Sequence, residues 1–266
     1  MNRSDLWLGM AGFLAGSVNA AAGGGTLLSF PSLLALGMSP LAANATSTVG
    51  LLPGSVASIF AYRRELTAAR ADAGRLLMPS IVGGVAGAWL LLFLGDRVFA
   101  AVVPSLLLIG SALLVVQPLV ARWLLRRAAR NPAPAAAPSN PSSTWPVLGV
   151  SLLVAIYAGY FGAGAGIVFL GAMGLLLTLP LSDVNALKVV MTAVSNGVAA
   201  ITFAVLQIRH PGQDGLQFRA ALPLCAGALL GGYLGVRLVR RLPPWALRAF
   251  SALVGVGIAF YMVLRK

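Results

Sequence analysis

Ten apolar runs follow one another along the chain, at 6–22, 26–37, 41–62, 76–94, 98–121, 146–161, 166–179, 183–208, 218–239 and 245–264. No other feature restricts the fold as strongly. Hydrocarbon offers no water to satisfy backbone N–H and C=O groups, so segments of this kind that enter it must be helical. A bilayer core about 30 Å thick takes about 20 apolar residues per crossing. Only 9% of residues are charged, 59% are hydrophobic and the mean hydropathy is +0.90. A soluble domain carries about a quarter charged residues, so lipid must be the main solvent. The expected fold is an all-α polytopic membrane protein.

The net charge of +13 would raise the question of nucleic acid in a soluble protein. Here the cations stand in short runs between apolar segments, as at Arg63-Arg64, Arg126-Arg127 and Arg240-Arg241. That is the positive-inside pattern, with contact to anionic headgroups. The runs lack the interleaved aromatics that nucleic acid would want, so no nucleic-acid partner is expected. Arg63, Arg64, Arg70 and Arg75 mark a cytoplasmic loop, whereas Arg237, Arg240, Arg241 and Arg248 compete with Arg209 and Arg219. The lone Cys225 excludes a disulfide scaffold. His210 stands in a polar loop, and no His/Cys/acid cluster has metal-ligand spacing, so neither a metal nor a cofactor is expected. Ala20-Ala21-Ala22 resembles a signal-peptidase site, but the run has a counterpart at 146–161, and retention is expected.

Asn131 to Thr144 carries Pro132, Pro134, Pro138 and Pro141 among Ala, Ser and Asn, which makes it a linker without a core. It divides a first transmembrane repeat, 1–130, from a second, 145–266. Sliding the chain by 141 sets Gly23 and Gly25 on Gly164 and Gly166, Asn44-Ala45 on Asn185-Ala186, and Ser55 on Asn196. A shift of 144 then sets Pro79, Gly83 and Gly87 on Pro223, Gly227 and Gly231. Repeated halves with a substrate site where they meet are a common transporter plan. Parallel and inverted repeats both remain open.

Three groups of residues carry candidate chemistry. Gly23-Gly24-Gly25-Thr26, with Asn19 one turn earlier, breaks a helix, and the break recurs at Gly162, Gly164 and Gly166. Each apolar pair around a break reads as two short helices, one broken helix or a re-entrant hairpin. A break exposes amide N–H groups and a helix N-terminus, a setting suited to anions; the alternative is close packing through small residues. It is neither a phosphate loop nor a dinucleotide fingerprint, since it lacks the preceding strand.

The second group opens the third run: Asn44, Thr46, Ser47 and Thr48, with Ser55 and Ser58 further along. Its counterpart is Asn185, Lys188, Thr192, Ser195 and Asn196, one helical face by spacing. Such a stripe faces a cavity or hydrogen-bonds a partner helix. An ammonium inside the membrane is costly and by default functional, so Lys188 would attract an anion; the alternatives are snorkelling or pairing with Asp183. The third group, Gly83-x-x-x-Gly87 and Gly227-x-x-x-Gly231-x-x-x-Gly235, gives helix-packing faces.

At these residues the chain resembles the sulfite exporter TauE/SafE family. The resemblance lies in GMAGFLAGSVNAAAGGGTLLSFPSLLALGMSPLAANATSTVGLLPGSVASIFAY, Gly9 to Tyr62, and in YAGYFGAGAGIVF of the second half. It covers nearly the whole chain outside the linker. It implies a multi-pass permease of the bacterial inner membrane for a small anion: sulfite, sulfoacetate or another organosulfur compound. It implies two four-helix-like halves and about eight crossings, each Gly-broken pair counting as one. The family's pattern carries onto Gly23, Gly24, Gly25, Pro31, Asn44, Thr46, Ser47, Gly162, Gly164, Gly166, Asn185 and Lys188. Ala172 stands where Pro31 would recur, so the two breaks differ.

The expected function is anion export by alternating access, with glycine amides and Asn/Ser/Thr side chains around the anion and Lys188 adding charge. Thr26, Thr192, Asn19 and Asn196 belong to this substrate-binding set. Lipid and a small anion are the expected partners, and self-association stays open. A cation–proton antiporter lacks a carboxylate deep in a helix. An intramembrane enzyme lacks a nucleophile beside a base, so no enzyme is expected. A membrane scaffold that binds nothing small is the rival.

Overall fold

The computed structural model describes residues 2–130, 144–177, 179–209, 215–239 and 244–264. The proposed linker, apart from Thr144, lies outside the described residues, as do His210, Arg240 and Arg241. Every regular element among the described residues is a helix. They are α1 (Arg3–Ala22), α2 (Thr26–Leu34), α3 (Pro40–Ala61), α4 (Arg63–Ala68), α5 (Arg70–Arg130), α6 (Thr144–Tyr160), α7 (Ala165–Leu176), α8 (Leu181–Arg209), α9 (Phe218–Val239) and α10 (Pro244–Leu264).

Each apolar run is a helix or a helix arm. α5 holds two runs, separated at Gly95, whose φ of 72° and ψ of 176° interrupt the helix. Gly87 and Phe99 both pack against Tyr160. Twelve positions of unbroken helix would set them about 18 Å apart, so the arms 70–94 and 96–130 double back on each other. The stretch expected as a basic loop, Arg63 to Arg75, is instead the short helix α4 and the first turns of α5. Ala69 turns inward at their junction and is buried, while the arginines stay out.

The glycine faces set the helix directions. A Cβ on Gly16 would lie 2.5 Å from the Ala228 carbonyl oxygen, and Gly12 packs in the same way on Leu224. α1 and α9 therefore run parallel at backbone-contact distance. Gly50 and Gly54 place α3 beside the same two residues, so α3 is parallel to both. On the other side of the molecule, Gly83 and Gly87 seat α6 along the first arm of α5, again parallel. Small residues let backbones approach this closely, which is how helices associate when lipid removes the hydrophobic drive.

One end of the molecule gathers the starts of α1, α3 and α9 with the Gly95 turn. The Leu41 amide donates to Asp96 at 2.8 Å, and the Gln217 amide donates to the Thr46 hydroxyl at 3.0 Å. Arg3, Arg97 and Arg219 stand at this end. Arg63, Arg64, Arg70, Arg75, Arg122, Arg126, Arg127 and Arg130 stand at the other, by the same helix directions. The outer surface is apolar: Phe60, Trp89, Phe93, Ile201, Leu222 and Phe260 are exposed, Phe93 by 86%. An apolar exterior of this extent is a surface for lipid. By length and composition the stretches 70–127 and 181–209 can cross a membrane. α2, with 9 residues, and α7, with 12, span only about 14 and 18 Å.

Candidate anion site at the helix breaks

Both breaks are built alike. α1 ends on Gly23 at φ 77°, whose amide reaches back to the Val18 carbonyl at 3.2 Å. α6 ends two residues before Gly162 at φ 80°, whose amide reaches the Tyr157 carbonyl at 3.0 Å. A left-handed residue donating five positions back is a helix stop that suits glycine. By this geometry Gly162, rather than Gly164, is the counterpart of Gly23. Gly164 is also left-handed, at φ 78°, and starts α7 as Gly25 starts α2.

After each break the chain doubles back. Asn19, near the end of α1, donates to Ser55 on α3 at 3.1 Å, whereas Ser29 on α2 meets Ser47 at 2.6 Å. Eight positions down α3 separate the two. In the other half a Cβ on Gly162 would lie 3.7 Å from Asn196 Oδ1, and Gly166 sits on Lys188, eight positions down α8. A hairpin is thus the geometry of each Gly-broken pair, which counts against treating a pair as one continuous crossing.

The half-helices α2 and α7 start close together. A Cβ on Gly23 would lie 3.4 Å from the Gly166 Cα. Leu114 Cδ1 lies 3.1 Å from where Gly24 would carry a Cβ, and Gly110 and Leu113 lie against Gly164. At these starts the amides of Leu27, Leu28, Ala165 and Ile167 donate to the carbonyls of Gly24, Gly25, Gly162 and Gly164, and what each half-helix presents is the positive end of its dipole. Two such ends therefore converge at one spot beside the second arm of α5.

Lys188 stands at that spot. Its Cδ lies 3.1 Å from where Gly166 would carry a Cβ, so the missing side chain is what admits its stem. Lys188 is 1% exposed and its Nζ has no hydrogen-bond partner among the described residues. Neither snorkelling nor pairing with Asp183 describes it. Asp183 instead accepts from Ser182 at the head of α8. Burying an ammonium without a partner is expensive.

The remaining predicted residues divide. Thr26 opens α2 at the break, beside Gly23, Gly24 and Gly25. Asn196 lies against Gly162, and Asn19 is held by Ser55. Asn44 bonds at the second break: its Nδ2 donates to the Tyr160 carbonyl at 2.9 Å and so caps α6, while its buried Oδ1 has no hydrogen-bond partner among the described residues. Thr46 holds the start of α9, and Ser47 ties α3 to α2. Thr192 bonds back to the Lys188 carbonyl at 2.9 Å, within its own helix. Asn185, half-buried, has no hydrogen bond among the described residues.

Three residues near the site were not singled out in the sequence. Tyr157 donates to the Ala163 carbonyl at 2.6 Å and braces the second break. A tyrosine one turn before a glycine knot was the available signal. Arg122 and Arg248 line a cavity of about 490 Å³ between α5 and α10, whose wall includes Leu114. On the opposite side of the breaks Phe30, Phe99, Tyr160 and Phe161 pack edge to face, with centroids 5.5 to 6.4 Å apart. Phe30, Phe99 and Phe161 are buried. Aromatic rings close the arrangement toward the Arg97 end, and buried Leu114 stands between it and the cavity at the Arg122 end.

A family model described as "Sulfite exporter TauE/SafE" matches residues 8–262. The chain is similar to "Probable membrane transporter protein YfcA" of Escherichia coli strain K12, with 28% identity over 240 residues, 89% of this chain and 82% of the relative. It is similar to "Probable membrane transporter protein" of Haemophilus influenzae, with 27% identity over 231 residues, 86% of this chain and 82% of the relative. No solved structure matches it.

Proposed function

The chain belongs to the sulfite exporter TauE/SafE family, and from that premise we propose that it exports a small sulfur oxyanion, sulfite or an organosulfonate, across the bacterial inner membrane. The observation that carries the anion reading is Lys188: a buried ammonium without a partner, set where two half-helix N-termini meet. An anion there would gain from the ammonium and from both helix ends. The described acids, Asp5, Glu65, Asp72, Asp96 and Asp183, all lie at or near helix ends, which disfavours a cation carrier.

Alternating access is supported by the packing. Gly84 seats on Ser195, and Gly54 on Ala228; these are the same two positions displaced by 144 and 141, meeting twice. Five chain passes per half, one of them short, and the start of α6 at the opposite end from that of α1 support halves inverted with respect to each other. Inverted halves around a midplane site can rock between two states related by a pseudo-two-fold axis in the membrane plane. The Escherichia coli relative is named a probable membrane transporter, which supports transport as the activity.

Counterflow of labelled sulfite and methanesulfonate in proteoliposomes tests this. Saturable exchange that falls at least tenfold in Lys188→Ala, with the fold retained, is expected. Absence of exchange for every sulfur oxyanion would sink the substrate assignment. Exchange indifferent to Lys188 would remove the site.

A further inference from the structure

The cavity between α5 and α10 differs in character from the helix breaks. Leu114, Pro118, Leu119 and Arg122 line it from the second arm of α5, and Arg248 lines it from α10. Neither arginine has an ion pair among the described residues. At about 490 Å³ it falls in the range of sites for organic molecules, about 300–1,000 Å³, and greatly exceeds a bare three-oxygen anion. It is joined to the breaks through Leu114, which both lines it and rests on Gly24. Two guanidinium groups on one cavity repel each other until an anion sits between them.

We infer that this cavity binds an organic anion with an apolar tail, the head on Arg122 and Arg248 and the tail along Leu114, Pro118 and Leu119. It is the cytoplasmic vestibule from which the head passes to Lys188. The inference deepens the anion-carrier reading, on which it rests, by naming the substrate class: an alkyl-bearing sulfonate or similar oxyanion in preference to inorganic sulfite. A planar guanidinium forks onto two oxygens of such a head. The apolar side chains of the cavity then reward every methylene that leaves water.

Equilibrium binding of a series from methane- to pentanesulfonate, with inorganic sulfite and sulfate beside it, tests the site on the full chain. The chain is held in phosphatidylcholine nanodiscs, where transport is not measured. Affinity is expected to rise about fourfold per methylene. It should drop at least tenfold across the series in Arg248→Gln and several-fold in the exposed-residue variant Arg122→Gln. A flat series, or one indifferent to both substitutions, overturns the proposal. So does binding of phosphatidylglycerol that needs both arginines and excludes the sulfonates, which would make the cavity a lipid-headgroup site. A chain-length slope that depends on the arginines, in a protein showing no counterflow, would sustain the site while the carrier reading falls. Counterflow with a flat series would do the reverse.

Discussion

Lys188 shows how a single residue separates a stability role from a functional one. An unpaired buried charge is a cost to the fold, and replacing buried charge by an apolar group of similar shape is often stabilising by about 1–4 kcal/mol. Lys188→Met should therefore raise the thermal midpoint in detergent by several degrees, at about 2–4 °C per kcal/mol for a chain of this size, while abolishing exchange. A lowered midpoint would mean that the ammonium has a partner holding the fold together. Asn44 behaves oppositely. Asn44→Ala leaves the Tyr160 carbonyl without its donor, which costs about 1–3 kcal/mol, so loss of exchange in that variant would say little about substrate. The polar type of both residues was legible in the sequence, but their roles were not. Both are polar residues near the start of a helix, and what distinguishes them is a carbonyl 116 positions away in one case and a missing Cβ on Gly166 in the other.

Elements were far more legible than side-chain roles, because the period and length of an apolar run are local properties. All ten runs are helices or helix arms. The misreading of Arg63 to Arg75 as a loop has a physical cause: a short amphipathic helix at a membrane face lacks the apolar length that marks a span. The glycine faces give the element-scale prediction. A Cβ on Gly87 would stand 2.7 Å from the Tyr160 amide nitrogen, whereas one on Gly149 meets nothing within 4 Å. Gly87→Ala should destabilise by about 1–3 kcal/mol through overpacking. Gly149→Ala should be neutral or stabilising by up to about 1 kcal/mol through helix propensity. Thermal midpoints of the two variants in one detergent read this directly. Equal effects would show that α6 does not approach α5 as closely as described. The glycine spacing was visible in the sequence, but the partner helix was not, since α1 chooses α9 and α6 chooses α5 across the linker.

At the scale of the whole molecule, charge and packing address the same question from independent directions. The sequence left orientation open because single arginines flank both ends of the second-half helices. Packing sorts them: α1, α3 and α9 run parallel, so Arg3, Arg97 and Arg219 share one end, and Arg63, Arg64, Arg126 and Arg127 gather at the other. The denser end should be cytoplasmic. That assignment puts the aromatic cluster of Phe30, Phe99, Tyr160 and Phe161 on the outer side of the breaks and the Arg122–Arg248 cavity on the inner side. On the carrier proposal the rings would form the outer gate, while Lys188, 1% exposed, is shut off from both ends. Single cysteines in a Cys225→Ala background test both halves of this argument. In whole cells a membrane-impermeant maleimide should label Arg97→Cys and Arg219→Cys but spare Arg64→Cys and Arg127→Cys. Labelling of Arg64→Cys from outside would invert the orientation, and with it the direction in which the gate opens. Phe161→Ala, which takes away a ring packed edge to face on both Phe30 and Phe99, should shift the population toward the outward state. A cysteine at Asn196, beside Gly162, should then become reachable from outside at least several times faster than in the parent. An unchanged rate would mean that the rings are core packing and that the gate lies elsewhere along the path.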